Sequence, residues 1–303
     1  MPQDPSEREV RRELLRRELR RRAMVTRHRV QARVRPAVPD QPPILLLGCP
    51  RSGTTLLFNL LAEHPQVGAM PEEGHVFWTA YNHPARHGWD SDALDAQHAS
   101  PAERRYVRSA MARLPGGPRP LDKTPKNVLR LPYLRALLPE ATVVVAVRDG
   151  RSTVASLLEG WRRRRGVAYL LPERLRLRDY DSRAWSYILP PGWRDLHGTE
   201  LAAVATAQYL ASSRAARAHL APGDVVVRYE ALVEDPVGTS TDLLARLDLP
   251  ASEEVRRAAE ALPTRTSGAI SAPRPDKWRE VAEDLAPYLP EIEDETQAWS
   301  HDA

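Results

Sequence analysis

The sequence predicts a three-layer α/β fold built on a central parallel sheet, with a helical arm at its N-terminus. Three observations predict it. The runs "ILLL" (44–47), "TVVVAV" (142–147) and "DVVVRY" (224–229) are continuously apolar rather than alternating, as strands covered on both faces are. Helical patterns separate them, at 54–63, 101–114, 129–139, 151–161 and 201–220. The first run also opens directly into "GCPRSGTT", a Gly/Ser/Thr turn ahead of a leucine-rich helix.

The arm comes first along the chain. Residues 1–38 carry 12 arginines against 5 acids, a surplus of seven, so a net charge of +4 leaves −3 for the rest. In "SEREVRRELLRRELRRRAMVTRHRV", Val10, Leu14 and Leu15 fall at helical spacing, and Ser6 with Glu9 forms a capping-box pattern. A basic amphipathic helix leaves three surroundings open: its own domain, a twin subunit in a homodimer, or weak contact with an anionic membrane surface. The narrow stripe without Trp or Phe favours packing on protein. With the Pro-rich linker "RPAVPDQPP", residues 1–40 are set apart from a domain spanning 41–303. The near-neutral body offers no footprint for nucleic acid. Cys49 is the single cysteine, so no internal disulfide can form. With no signal peptide, a cytoplasmic location is expected. The longest apolar runs are strand-length, too short to span a bilayer.

The turn after the first strand has the chemistry of an anion cradle. Gly53 lets backbone N–H groups approach an anion, Thr54 and Thr55 add hydroxyls, and Arg51 offers a fixed fork of donors. The ATP- and GTP-binding loop needs G-x-x-x-x-G-K-[ST], and here Arg51 is the only cation. A glycine-containing turn with Ser/Thr caps is the plainer alternative. A second strand end, "TVVVAVRDGRSTVASLLEGW", puts Arg148 where open α/β sheets bind ligands and Ser156 on the following helix. Ion pairing of Arg148 with Asp149 or Asp122 is its structural alternative. Two such anion sites imply a ligand with phosphates at two ends. Residues 162–200 break the alternation and read as an insertion or substrate lid. Six of the chain's 18 aromatics gather between Trp161 and Trp193 (Trp161, Tyr169, Tyr180, Trp185, Tyr187, Trp193), either lining an apolar acceptor pocket or stapling the segment to the core.

"PRSGTTLL…EEG", "DKTPKN", "VRDGRSTVAS", "RYEALVEDP" and "DKW" occur in the order and rough spacing of the sulfotransferases that use 3′-phosphoadenosine 5′-phosphosulfate (PAPS). The resemblance runs from about Pro43 to Trp278 and looks closest to the bacterial branch that also resembles tyrosylprotein sulfotransferases. It implies a P-loop-like sulfotransferase fold. It further implies that Arg51, Ser52, Gly53, Thr54 and Thr55 hold the 5′-phosphosulfate end of PAPS. Arg148 and Ser156 match the pair holding the 3′-phosphate, Tyr229 a position near the adenine, and Lys277 with Trp278 the segment closing over the nucleotide. "PRPDKWRE" replaces the Arg-Lys-Gly motif of many cytosolic members, leaving the contacts of Lys277 and Arg274 open.

The resemblance implies transfer of a sulfuryl group to an acceptor hydroxyl, leaving adenosine 3′,5′-bisphosphate (PAP). Such a transfer calls for a base near the acceptor and positive charge near the leaving oxygen. Arg51 and Lys123 match the cations, with a surface lysine as the alternative for Lys123. Glu73 is the favoured base, with Glu72 beside it and His75 as rivals. Neighbouring Val76, Phe77 and Trp78 lead one to expect a raised Glu73 pKa. No metal-ligand pattern is present, and none is expected to be required. The acceptor expected is a small or lipid-like natural-product alcohol or phenol, with carbohydrate or peptidyl tyrosine as alternatives. An atypical P-loop small-molecule kinase is the competing class.

Overall fold

The computed structural model describes residues 7–70, 73–262 and 275–301. Along the chain run α1 (Glu7–Val34), β1 (Ile44–Gly48), α2 (Thr54–Ala62), β2 (Val67–Ala69), α3 (His75–Trp78), α4 (Pro101–Met111) and β3 (Arg119–Lys123). Then follow α5 (Leu131–Leu137), β4 (Thr142–Val147), α6 (Gly150–Arg162), β5 (Val167–Arg176), β6 (Asp181–Ser186), α7 (Leu201–His219) and β7 (Val225–Arg228). The described chain closes with α8 (Tyr229–Glu234), α9 (Pro236–Arg246), α10 (Glu253–Glu260), α11 (Ala282–Leu285) and α12 (Leu289–His301).

Five strands form one parallel sheet in the order β2-β3-β1-β4-β7. β1 lies at its centre because "ILLL" has no polar side chain to keep in water: every residue of the strand is buried. Each such leucine or isoleucine contributes roughly 1.5–3 kcal/mol on leaving water. Leu45 and Leu47 face one core, with Val143 and Val145 of β4 and with α5. Ile44 and Leu46 face the other, with α2, α9 and α10. The three layers follow from this two-sided burial.

Register levels the carboxyl ends of the strands. Leu46 pairs with Lys123, Gly48 with Ala146, and Val147 with Arg228. Consequently the loop after β1, the end of β3, the turn after β4 and Tyr229 all emerge along one edge of the sheet.

Residues 162–200 are more regular than the sequence suggests. β5 and β6 form an antiparallel hairpin with a register shift, and Trp161, Trp185 and Trp193 sink into a third core with α6 and α7. Those tryptophans pack edge to face at centroid distances of 5.1 and 5.5 Å. Of the two expectations, stapling describes Trp161, Trp185 and Trp193, whose side chains are spent on the core.

The helix α1 lies on the body. Val10, Val25 and Ala32 are buried, and His28 packs against Phe77 and Tyr106. Arg21 donates to the carbonyl of Thr79 at 3.2 Å, and Arg29 to that of Ala80 at 2.7 Å. These are carbonyls just past α3, which a short helix leaves without intrahelical donors. Ser6 of the expected capping box lies outside the described residues. Among the described residues no helix is long and apolar enough to cross a membrane.

Candidate active site

The loop 48–53 carries backbone strain where it turns toward α2. Arg51 holds φ at 78°, a left-handed value that costs a residue with a side chain roughly 1 kcal/mol or more. That turn lets the Arg51 carbonyl accept from Arg148 Nη1 at 3.2 Å, while Arg51 Nε donates to Ser156 Oγ at 3.0 Å. Ser52 Oγ anchors the loop from beneath by donating to the Ala146 carbonyl at 2.9 Å. Gly53, at φ 97°, caps α2, and a Cβ there would meet the Tyr229 ring at 2.5 Å. Only glycine allows both the turn and the ring.

The second strand end joins the first. Arg148 stacks on Tyr229, its guanidinium carbon 4.5 Å from the ring centroid. Neither Asp149 nor Asp122 pairs with it. Asp149 caps α6 by accepting from Ser152 N at 2.9 Å, and Asp122 is engaged elsewhere. Ser156, in the second turn of α6, faces Arg51. Arg51, Ser52, Gly53, Arg148, Ser156 and Tyr229 therefore form one cluster, whereas the sequence reading assigned Arg51 and Ser156 to opposite ends of a ligand. The cluster brings together two guanidinium groups, a glycine turn and an aromatic ring.

Lys123 ends β3 as a buried side chain, not a surface lysine. Its Nζ donates to Glu73 Oε1 at 2.8 Å and reaches Thr55 Oγ1 at 3.4 Å, bridging the anion loop to the carboxylate. His75 Nε2 lies 2.8 Å from the other Glu73 oxygen. The expectation of a raised Glu73 pKa is corrected. Burial does push it up, but the His75 hydrogen bond and the Lys123 charge outweigh burial and hold it down at about 2. Glu72 lies outside the described residues, as does Arg274.

Beneath this trio sits Asp122, which sequence reasoning did not place in the site. Its carboxylate accepts from Trp78 Nε1 at 2.9 Å, Thr124 Oγ1 at 3.1 Å and Asn127 Nδ2 at 3.2 Å. Full burial raises its pKa to about 7, with Glu73 adding like charge. Gly74 is required beside it, since a Cβ there would come within 1.8 Å of Asp122 Oδ1. Asp122 thereby fixes α3, and with it Glu73 and His75, against the end of β3. The "DKTPKN" stretch held the signal in its buried polar pattern.

Lys277 and Trp278 lie against the same helix as Ser156. Lys277 pairs with Glu159, and Trp278 carries Arg151 over its ring at 4.9 Å. Among the described residues no group of three or more His, Cys, Asp or Glu side chains converges as a metal site would.

A parallel α/β sheet carries the strained 48–53 loop at its carboxyl edge, with the Lys123–Glu73 pair beside it. Comparison supplies the family: residues 42–253 match the model of the sulfotransferase family, and the chain belongs to it. The nodulation protein NoeE of Sinorhizobium fredii is similar, 33% identical over 135 residues, 38% of this chain and 31% of that protein. So is protein-tyrosine sulfotransferase A of Caenorhabditis elegans, 30% identical over 128 residues, 39% of this chain and 33% of that protein. The match thus spans about a third of the length of these curated relatives. The solved sulfotransferase STF9 of Mycobacterium avium shares the fold at a TM-score of 0.55 and 17% identity, over 90% of this chain and 81% of that one.

Proposed function

We propose that this chain transfers a sulfuryl group from PAPS to the hydroxyl of a small-molecule or lipid-like acceptor, an alcohol or a phenol. The observation that carries the proposal is Lys123 Nζ standing between Glu73 Oε1 and Thr55 Oγ1. One cation adjoins both the loop suited to a phosphosulfate and the carboxylate suited to an acceptor proton. PAPS, when bound, supplies the activated sulfuryl group and a phosphate leaving group.

Arg51, the loop backbone and Thr54 and Thr55 would hold the 5′ end, with Arg148 and Ser156 at the 3′-phosphate and Tyr229 beside the adenine. Lys277 and Trp278 would close over the nucleotide from α6. Lys123 has two successive partners in this reading. Paired with Glu73 it keeps the carboxylate a weak base. Drawn toward the leaving oxygen, it releases Glu73, whose basicity then rises where the acceptor hydroxyl must lose its proton. Fixed cations and backbone dipoles supply the positive field, so no metal is needed in this mechanism. Residues 1–40 would serve as a brace for the catalytic domain 41–303, with 162–200 walling the acceptor side, in a cytoplasmic enzyme.

The test is direct. The full chain is incubated with PAPS and a panel of alcohols and phenols, and products are read by mass for sulfation. PAP raising the melting temperature while Mg-ATP does not is expected. Stabilisation by Mg-ATP alone, with phosphorylated products, would replace this reading by the kinase one.

A further inference from the structure

A second buried lysine lies three residues beyond Lys123, and the proposed reaction leaves it without a task. Lys126 is 7% exposed, and its ammonium donates no hydrogen bond to any described residue. It sits 3.5 Å from the centroid of the Tyr169 ring. Its nearest carboxylate oxygen, Asp92 Oδ2, is 3.9 Å away.

Asp92 takes its hydrogen bonds from other groups. Its Oδ1 accepts from Arg130 Nη2 at 2.7 Å and from Tyr169 OH at 2.5 Å, and its Oδ2 accepts from Leu189 N at 2.7 Å. Arg130 thus supplies the countercharge, as Lys123 does for Glu73. Two cations thus share one carboxylate, Arg130 by hydrogen bond and Lys126 across 3.9 Å by charge alone. A buried charge without a hydrogen-bonding partner is expensive, and such groups are found where a ligand completes them. Burial pulls its pKa down to about 8, so most of the charge survives at neutral pH. Glu73 is among the groups acting on it, which puts Lys126 within electrostatic reach of the base.

The Tyr169 ring under Lys126 belongs to an aromatic trio. His83, Trp89 and Tyr169 meet edge to face, with centroids 5.4, 5.6 and 5.6 Å apart. Trp89 holds φ at 59°, a strained value fixed by its carbonyl accepting from Trp193 Nε1 at 2.8 Å. Burial, with the charges of Arg21 and Lys126, holds the His83 pKa down at about 4, so its ring is neutral. A cation seated on the first of three neutral, mutually packed rings suits a flat ligand with an anionic edge.

We propose that the acceptor is a hydroxylated aromatic compound carrying an anionic substituent, and that Lys126 is the residue that binds that anion while His83, Trp89 and Tyr169 flank the ring. This rests on the sulfotransferase reading above for the fate of the hydroxyl, and not for the binding itself. Lys126 acts on specificity, and Glu73 and Lys123 keep the chemistry.

The test uses the full chain and a matched pair, para-hydroxyphenylacetate and its neutral amide, titrated calorimetrically with PAP present and absent. The acid is expected to bind roughly tenfold or more tightly than the amide, the scale of one charge-assisted hydrogen bond. Lys126→Met should erase that preference, and Lys126→Arg should retain it, with circular dichroism confirming that both variants fold. Equal binding of acid and amide by the wild type, binding of neither, or a preference that survives Lys126→Met would overturn the proposal. Failure of PAP to bind would instead count against the sulfotransferase reading, and the acid–amide comparison would still decide the role of Lys126.

Discussion

Lys123 Nζ and Glu73 Oε1 lie 2.8 Å apart, a cation from the end of β3 against a carboxylate from the segment leading into α3. The His75 hydrogen bond together with this pair holds the Glu73 pKa at about 2, although the proposed reaction needs it as a base. Glu73→Gln should lower kcat by roughly 10²–10⁴, the usual contribution of a general base, with PAP affinity little changed. Steady-state kinetics and calorimetry check both halves. If His75→Ala abolishes turnover while Glu73→Gln leaves it near wild type, the histidine is the base.

The same depressed pKa carries a sign for acid stability. A carboxylate held at about 2 when folded, against an ordinary 4.5, stabilises the fold above the ordinary value and loses that contribution as pH falls from there toward 2. Glu73→Gln should therefore narrow the loss of melting temperature on acidification through that window. An unchanged acid limb would mean that Lys123 and Glu73 do not pair in solution.

Asp122 has the opposite sign. Its pKa is raised from 3.8 to about 7, so its contribution is full below 3.8 and is lost as pH rises through 7. The melting-temperature gap between wild type and Asp122→Asn should be widest near pH 4 and shrink by pH 8. A gap that does not shrink between pH 4 and pH 8 would show that Asp122 is ionised in the fold throughout that range.

Nucleotide binding should be carried by the cluster around Arg51. Arg148→Ala should weaken PAP by about 2–3 kcal/mol and Ser156→Ala by about 1 kcal/mol, the scales of charged and neutral hydrogen bonds. Calorimetric affinities unchanged in both variants would remove Arg148 and Ser156 from the nucleotide site.

Turnover should persist in EDTA, since the proposed mechanism uses Arg51, Lys123 and loop dipoles alone. A complete loss of turnover that Mg²⁺ reverses would speak for a phosphoryl-transfer enzyme.

Legibility followed the kind of burial. β1, β4 and β7 announced themselves because their burial is apolar. β3 did not, since "RPLDK" carries three charged residues and a proline yet is buried throughout. Each charge is hidden by a partner no local pattern shows: Arg119 donates to the Pro42 carbonyl at 3.1 Å and to that of Leu247, Asp122 accepts three bonds, and Lys123 meets Glu73. The hairpin of β5 and β6 was masked in the same way by exposed arginines and a mid-strand proline. The Glu73 pKa was misjudged for a related reason. Adjacent Phe77 and Trp78 are visible in sequence, while the opposing lysine stands 50 residues away.

The register of the central strand also bears on how the chain comes to be folded. Ile44 of β1 pairs with Leu121 on one side and Thr142 on the other, so both neighbours are made long after it. During synthesis the "ILLL" segment leaves the ribosome with two open edges and no partner, the state in which apolar strands pair wrongly. High separation between paired strands slows their closure. The anion loop cannot take its strained turn until Ala146 and Arg148 arrive to hold Ser52 and Arg51. Assembly of the proposed nucleotide site is therefore a late and cooperative event in the life of the chain, and a nascent fragment ending before β4 would lack it.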